Sequence, residues 1–230
     1  MHMNSSCLVL RVDCNKMTKT FKSRNENFGK TVFDPNTFKH FLMSKEQFEE
    51  FKKNNPVEEL DNEPSPESSS ILYSPVRAYF DLTLECNLRC KTCLNNSGNK
   101  LSDELNLEQA IKVVEGLAKD FIFDVRFSGG EPTLKQGWED ILKRAKELGM
   151  AISLNSNGVY ENSQTIDKII RINPDEVSIS IDGHKYHNDF IRGKGSYENA
   201  TETVKALSSA GCRVTINSVI TSILDENDIR

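Results

Sequence analysis

The stretch VRAYFDLTLECNLRCKTC, residues 76–93, decides how this chain is read. Its first half, VRAYFDLTL (76–84), is an apolar and aromatic run of strand length. Its second half carries Cys86, Cys90 and Cys93 in the spacing CxxxCxxC, on the loop that leaves that strand. Downstream, strand and helix patterns alternate. Residues 106–119 are helical, with Leu107, Ala110, Ile111, Val114, Leu117 and Ala118 at helical spacing. Residues 121–127 read as a strand. Residues 137–148 read as a helix with Trp138, Ile141, Leu142, Ala145 and Leu148 on one face and Gly149 as its stop. A strand at 150–154, a helix at 163–172 and a strand at 176–181 (EVSISI) follow. A helix at 196–209, capped by Ser196 and stopped by Gly211, and a strand at 212–220 complete the series. Such alternation predicts an α/β fold, a parallel sheet with crossover helices. Residues 76–230 then hold five strands at roughly 31 residues per βα unit.

Upstream the pattern differs. Residues 1–55 read as a small β-rich region with strand candidates at 7–12 (CLVLRV) and 30–33. A helix at 44–53 has Ser44 as its cap, and Gln47 completes a capping box. Phe21, Phe28, Phe33, Phe38, Phe41, Phe48 and Phe51 supply a mini-core or a docking face. Residues 54–70, NNPVEELDNEPSPESSS, are acidic and too poor in apolar side chains to offset the entropy of ordering. Residues 56–75 therefore read as a linker. A length of 230 residues allows one domain, or one with a small appendage. The balance of 29 basic against 34 acidic residues gives a net charge of -5, which argues against a bulk electrostatic grip on nucleic acid. No run of about 18 apolar residues predicts a membrane span, and no apolar stretch after a basic N-terminus predicts a secretory signal. The expected location is cytoplasmic.

Six cysteines are too few for a disulfide scaffold, and Cys7, Cys14 and Cys212 are scattered. The other three are clustered, which in a reducing compartment reads as a metal or cluster site. Ligands of parallel α/β folds sit at the carboxyl ends of the strands, where this loop stands. Three thiolates can ligate three irons of a [4Fe–4S] cluster and leave the fourth open to another molecule. A structural zinc normally closes with four ligands, and no other Cys or His stands at zinc spacing. A zinc knuckle or three buried thiols are the competing readings of the spacing. The second signal is SGGEPTL (128–134), directly after the second strand, where two glycines let backbone groups approach a ligand closely. By itself it is equally an ordinary βα turn. His40, His184 and His187 read as surface or loop histidines rather than bases.

Taken together, CNLRCKTC and SGGEPTL resemble the radical S-adenosylmethionine (SAM) superfamily, over residues 76–230. The resemblance implies a partial (β/α)6, TIM-like barrel with five strands present. It implies a [4Fe–4S] cluster on Cys86, Cys90 and Cys93, with SAM chelating the open iron. It also implies that Gly129, Gly130, Glu131 and Pro132 bind the SAM amino group. The segments SISIDG (178–183) and HNDFIRG (187–193) resemble the SPASM-type branch of sulfatase and peptide maturases, which implies SAM contacts for Ser180 and Arg192. Thr92 stands where the family usually has an aromatic residue supporting the adenine, so backbone contact is implied and stacking is not. LNSNG (154–158) resembles the family's Thr-Asn-Gly. It leaves Asn155 or Ser156 as a substrate-facing residue and Asn157-Gly158 as a turn. Asn217 stands between a ribose contact and core lining. The family's sixth strand and the auxiliary-cluster cysteines of SPASM relatives have no counterpart, so the edge of the fifth strand is expected to be open and available to a second chain.

What the resemblance implies is an enzyme. An external reductant supplies one electron to the cluster, SAM is cleaved to methionine and a 5'-deoxyadenosyl radical, and that radical takes a hydrogen atom from the substrate. The first choice of substrate is a peptide or protein being matured, since the N-terminal region resembles in layout the leader-binding appendages of peptide-modifying relatives. A sheet edge there can accept a peptide strand. A small molecule is the alternative, because the same motifs resemble the molybdopterin and heme-pathway branches. An inactive cluster-binding subunit is the third reading.

Overall fold

The computed structural model describes residues 6–12, 19–63, 71–162 and 164–221, with the backbone alone for 6–12. In chain order the first elements are β1 (Ser6–Val12), β2 (Phe21–Glu26), β3 (Gly29–Asp34), β4 (Lys39–Ser44), α1 (Lys45–Lys52) and β5 (Val57–Glu59). Then come β6 (Arg77–Thr83), α2 (Leu107–Lys119), β7 (Asp124–Gly129), a short 3-10 turn (Pro132–Leu134), α3 (Trp138–Glu147) and β8 (Ala151–Ser156). The last are α4 (Gln164–Ile172), β9 (Glu176–Ser180), α5 (Lys185–Arg192), α6 (Ser196–Ser209) and β10 (Val214–Ile220).

Strands β6 to β10 form the expected parallel sheet in the order β10-β9-β8-β7-β6. Alternate residues face the crossover helices. Val125 and Phe127, Ile152 and Leu154, Val177 and Ile179 are fully buried against Ile141, Leu142, Val114, Ile169 and Leu207 of the helices. Each such side chain contributes roughly 1.5–3 kcal/mol on burial. Capping boxes start α1 (Ser44 with Gln47) and α2 (Asn106 with Gln109).

Several expectations need correction. The edge of β10 is not open: β1 pairs with it antiparallel from Ser6↔Ile220 to Val12↔Val214, making a six-stranded sheet. The fold thus draws its sixth strand from the N-terminal region, which removes the observation that pointed to a second chain. The linker reading of 56–75 also fails at both ends. Val57–Glu59 pairs with β2, Leu60 packs against the cluster of Phe33, Phe38, Phe123 and Ala151, and Asn62 exchanges hydrogen bonds with the Asn25 backbone. Ser74 and Pro75 accept from the buried Arg24. Few apolar residues suffice there because a preformed sheet and polar partners receive them. Residues 64–70 lie outside the described residues. Helix α5 was not foreseen. Gly195, not Ser196, is the N-cap of α6, and the Ser196 hydroxyl instead meets Asp189 and Asn188. The second parallel strand starts at Asp124 because Phe121 takes a left-handed turn, with φ 56°.

The four-stranded sheet β4-β3-β2-β5 sits under the end of the barrel where the parallel strands begin. Phe33 and Phe38 pack on Phe123 and Ala151, so these two phenylalanines dock the N-terminal sheet on the barrel, while Phe41 stays exposed. Around Phe38, the Arg77 side chain donates to its carbonyl at 2.9 Å, and Arg126 and Arg213 lie over its ring. The start of the barrel lumen is ionic: Arg77 pairs with Asp124 at 2.6 Å and Arg126 with Glu176 at 3.3 Å. This leaves the opposite, carboxyl end of the strands for chemistry.

Candidate active site at the carboxyl end of the parallel strands

The long connection from β6 to α2 carries the three cysteines, and its two ends are tied together. Glu104, near its far end, accepts from Leu84 N at 2.8 Å, Leu101 N at 3.2 Å and Thr83 Oγ1 at 2.9 Å. Burial works against ionisation of Glu104. The hydrogen bonds from Leu84, Thr83 and Leu101, with the Lys135 ammonium, outweigh it and hold the carboxyl below its usual value. Across the loop, Cys86 N donates to Gly98 O at 3.0 Å and Gly98 N to Leu84 O at 2.8 Å. The Arg89 guanidinium lies against Gly98 and donates to the carbonyls of Cys86 and Leu88. Lys91 N donates to Ile191 O at 2.9 Å, which ties the loop to the end of α5.

The sulfurs sit among donors. Cys86 Sγ accepts from Leu88 N at 3.4 Å and from Asn157 Nδ2 at 3.7 Å, and Cys93 Sγ accepts from Ser97 N at 3.2 Å. Cys86, Cys90 and Cys93 are half-buried and free. Burial pushes the Cys86 thiol above its ordinary value, with Glu131 and Cys93 adding to the rise and Leu88 N–H and Asn157 opposing it. Burial likewise raises Cys90, helped by Cys86, Cys93 and Asp182 and opposed by the Arg192 charge. Three thiols on one loop, supplied with N–H groups aimed at sulfur, fit an iron–sulfur cluster. Among the described residues no three Cys, His, Asp or Glu side chains converge as they would around a single ion. The thiolates of a four-iron cluster each take a different iron and need no such convergence.

The Gly129-Gly130 turn lies directly against this loop. Gly130 N donates to Thr83 O at 2.7 Å and Glu131 N to Glu85 O at 2.8 Å. A β-carbon at Gly129 would fall 2.3 Å from Thr83 O, and one at Gly130 would fall 2.2 Å from Glu85 O. The glycines thus admit the protein's own backbone, the base of the cysteine loop. Glu131 is fully buried. Its carboxylate accepts from Ser156 Oγ at 3.0 Å, Asn157 N at 2.9 Å and Thr133 Oγ1 at 2.7 Å. Burial, outweighing these bonds, holds it above the usual carboxylate range. The buried Pro132 begins the 3-10 turn that follows.

Ser180 ends β9, half-buried and in register with Asn217 of β10. Arg192, the last residue of α5, pairs with the fully buried Asp182 through Nε at 2.7 Å. Asp182 in turn accepts from Val219 N at 2.8 Å, and Asn188 Oδ1 accepts from Asp182 N at 2.9 Å. Thr92 lies in the turn between Cys90 and Cys93. Ser156 faces Glu131 and Tyr160 rather than the lumen, while Asn155 stays half-buried in register with Ser178. The sequence motifs leave Glu104 unmarked, assign no role to Asn87 and Asp182 inside the quoted CNLRCKTC and SISIDG, and mark Asn157 only as a turn residue. Nothing local distinguishes a clamp from a turn.

A parallel half-barrel with a three-thiol loop at the carboxyl end of its first strand and a glycine turn at the end of its second defines a class of cluster-bearing α/β proteins. Residues 81–230 match the Radical SAM superfamily, and the chain belongs to it. Members of that family use a [4Fe–4S] cluster and SAM. The chain is 31% identical over 205 residues to the sporulation killing factor maturation protein SkfB of Bacillus subtilis, covering 86% of this chain and 50% of SkfB. It is 32% identical over 141 residues to the mycofactocin maturase MftC of Mycolicibacterium smegmatis, covering 61% of this chain and 36% of MftC. Among solved structures, Streptococcus suis SuiB bound to its precursor peptide SuiA has the same fold. The TM-score is 0.68 at 14% identity, covering 89% of this chain and 56% of SuiB. The chain thus spans about half or less of the curated relatives it matches. No described helix is long and apolar enough to cross a membrane.

Proposed function

We propose that this chain carries the cofactor end of a radical SAM enzyme that matures a peptide or protein. The observation that carries the reading is the Cys86–Cys90–Cys93 loop, braced by Glu104 and packed backbone to backbone against Gly129-Gly130 at the carboxyl end of the sheet. The three cysteines would hold the cluster, which when bound supplies one electron to the sulfonium of SAM and so opens radical hydrogen abstraction. The protein's own part is to position and to exclude water. Because the Glu131 carboxylate is spent on Thr133, Ser156 and Asn157, the backbone of Gly129 and Gly130 is left to meet the amino group of SAM. Asp182 orients Arg192, which with Ser180 and the backbone at Thr92 would meet the rest of it. Asn155 and Asn217 line the lumen side of the same strand ends.

The relatives named as maturases and the peptide-bound SuiB support a peptide substrate. So does β4, an outer strand of the N-terminal sheet carrying exposed Phe41 and Leu42, whose free edge suits an added peptide strand. The test is anaerobic reconstitution with iron and sulfide, reduction with dithionite, and measurement of 5'-deoxyadenosine formed from SAM, with the Cys86→Ala, Cys90→Ala, Cys93→Ala variant as control. Product above the control is expected, increased on adding a peptide substrate. Bound cluster with product unchanged by any peptide would contradict the substrate class.

A further inference from the structure

We propose that Asn157 is a positioning residue that sets how readily a cluster held on Cys86 is reduced. The inference rests on the reading above, in which Cys86 is a cluster ligand. Asn157 is buried and clamped on every side. Its backbone N–H donates to Glu131 Oε2 at 2.9 Å. Its Oδ1 accepts from Val159 N at 2.7 Å, and its Nδ2 donates to Asn87 Oδ1 at 2.8 Å. The Val159 bond fixes which way the amide points: a backbone N–H only donates, so the oxygen faces Val159 and the nitrogen faces the cysteine loop. An amide nitrogen carries two hydrogens. One goes to Asn87, and the other meets Cys86 Sγ at 3.7 Å.

The neighbours hold that arrangement. Gly158 has φ 72°, and a β-carbon there would fall 2.9 Å from Ile179 Cγ2, so the turn that presents Asn157 is closely packed. Thr203 Oγ1 donates to the Gly158 carbonyl at 2.8 Å. Glu131 is fixed by Ser156 and Thr133 before it accepts from Asn157. A connected chain therefore runs from the glycine turn through Glu131 and Asn157 to the sulfur of the first cysteine. The other N–H groups shown on the loop sulfurs, from Leu88 and Ser97, belong to the backbone and survive any side-chain change. Asn157 supplies a donor that mutation can remove.

Hydrogen bonds to ligating sulfur are one of the levers that set cluster potentials. An N–H directed at sulfur stabilises the more negative, reduced cluster more than the oxidised one. Removing it makes reduction harder without touching a ligand.

The test compares the unaltered chain with Asn157→Ala and Asn157→Asp, each reconstituted without oxygen and poised at a series of fixed potentials, with the reduced cluster quantified by EPR. Asn157→Ala is expected to lower the ratio of reduced to oxidised cluster at a given potential about three- to tenfold, tenfold being about 59 mV for a one-electron couple. Asn157→Asp keeps the shape, loses the donor and adds negative charge, so its fall is at least as large. Unchanged ratios in both variants overturn the proposal, and so does a fall in Asn157→Asp alone, which reports charge rather than a lost hydrogen bond. If both variants keep the native circular dichroism yet take up no cluster while the unaltered chain does, Asn157 serves loop assembly and the tuning role is overturned. If the unaltered chain itself takes up no cluster, the parent reading fails, and this inference with it.

Discussion

Gly130 shows how one residue joins two motifs. A methyl group there would fall 2.2 Å from the Glu85 carbonyl oxygen, with backbone on the other side of the contact and nothing flexible to yield. Gly130→Ala is therefore expected to cost about 1–3 kcal/mol in denaturant unfolding and to lower iron uptake on reconstitution; unchanged stability and uptake would contradict the close packing. The cysteines make a second residue-scale prediction. Burial raises the Cys86 and Cys90 thiols, so the thiolate fraction at pH 8 is smaller than for free cysteine. In the metal-free protein both should react with iodoacetamide more slowly than free cysteine at pH 8, and the rate should keep climbing above about pH 8.5. Peptide mapping after timed alkylation reads this directly, and equal rates at pH 8 would contradict it. At this scale the three clustered thiols are legible as candidate ligands, because CxxxCxxC on a strand-end loop stands out from the scattered Cys7, Cys14 and Cys212. It does not show that Glu131 points inward or that Arg192 is held by Asp182, since both depend on partners from other strands.

Among the elements, the β6–α2 connection depends on Glu104, a residue without a motif of its own. Its hydrogen bonds depress its folded pKa, so it contributes stability that is present above its ordinary value and is lost as pH falls through the lowered one. Glu104→Gln should therefore be less stable than the unaltered chain at pH 7, with the difference shrinking on acidification below about pH 4.3. A difference that stays constant with pH would contradict this account of the loop. The five parallel strands and four of their helices are legible because a helical apolar stripe and an apolar β run each have a local period. Helix α5 is not, since it spans only eight residues (Lys185–Arg192), buries only Asn188 and Ile191, and leaves its aromatic Tyr186 and Phe190 exposed. The place of β1 is likewise invisible. CLVLRV reads as a strand, but nothing in it says that its partner lies more than 200 residues away at the edge of β10.

On the scale of the whole molecule, a polar joint holds the N-terminal sheet to the barrel. Arg24 and Glu26 are both fully buried and pair at 2.8 Å. Arg24 also donates to Phe121 O at 2.9 Å and to the carbonyls of Ser74 and Pro75, and Glu26 accepts from Tyr73 N at 2.6 Å. Removing one partner leaves the other buried without its counter-charge. Arg24→Ala should cost about 3–5 kcal/mol in unfolding free energy, and adding Glu26→Leu should recover part of that loss. A single-variant cost below about 1 kcal/mol would mean that the two sheets do not depend on this joint. The sequence foresees two regions and a docking role for the phenylalanines. It does not foresee that the supposed linker is taken up at its described ends by β5 and by this joint, because hydrogen-bond partners distant in sequence leave no compositional trace. With the N-terminal sheet closing one end of the strands, the carboxyl end remains as the working face. The central claim is that Cys86, Cys90 and Cys93 hold a four-iron cluster there whose open iron takes SAM. The most direct measurement is iron content and the EPR spectrum of the anaerobically reconstituted, reduced chain, with and without SAM. The account predicts about four irons per chain and a spectrum that changes when SAM is added, both lost in the triple alanine variant. A chain that keeps zinc instead, or a cluster whose spectrum ignores SAM, would contradict it.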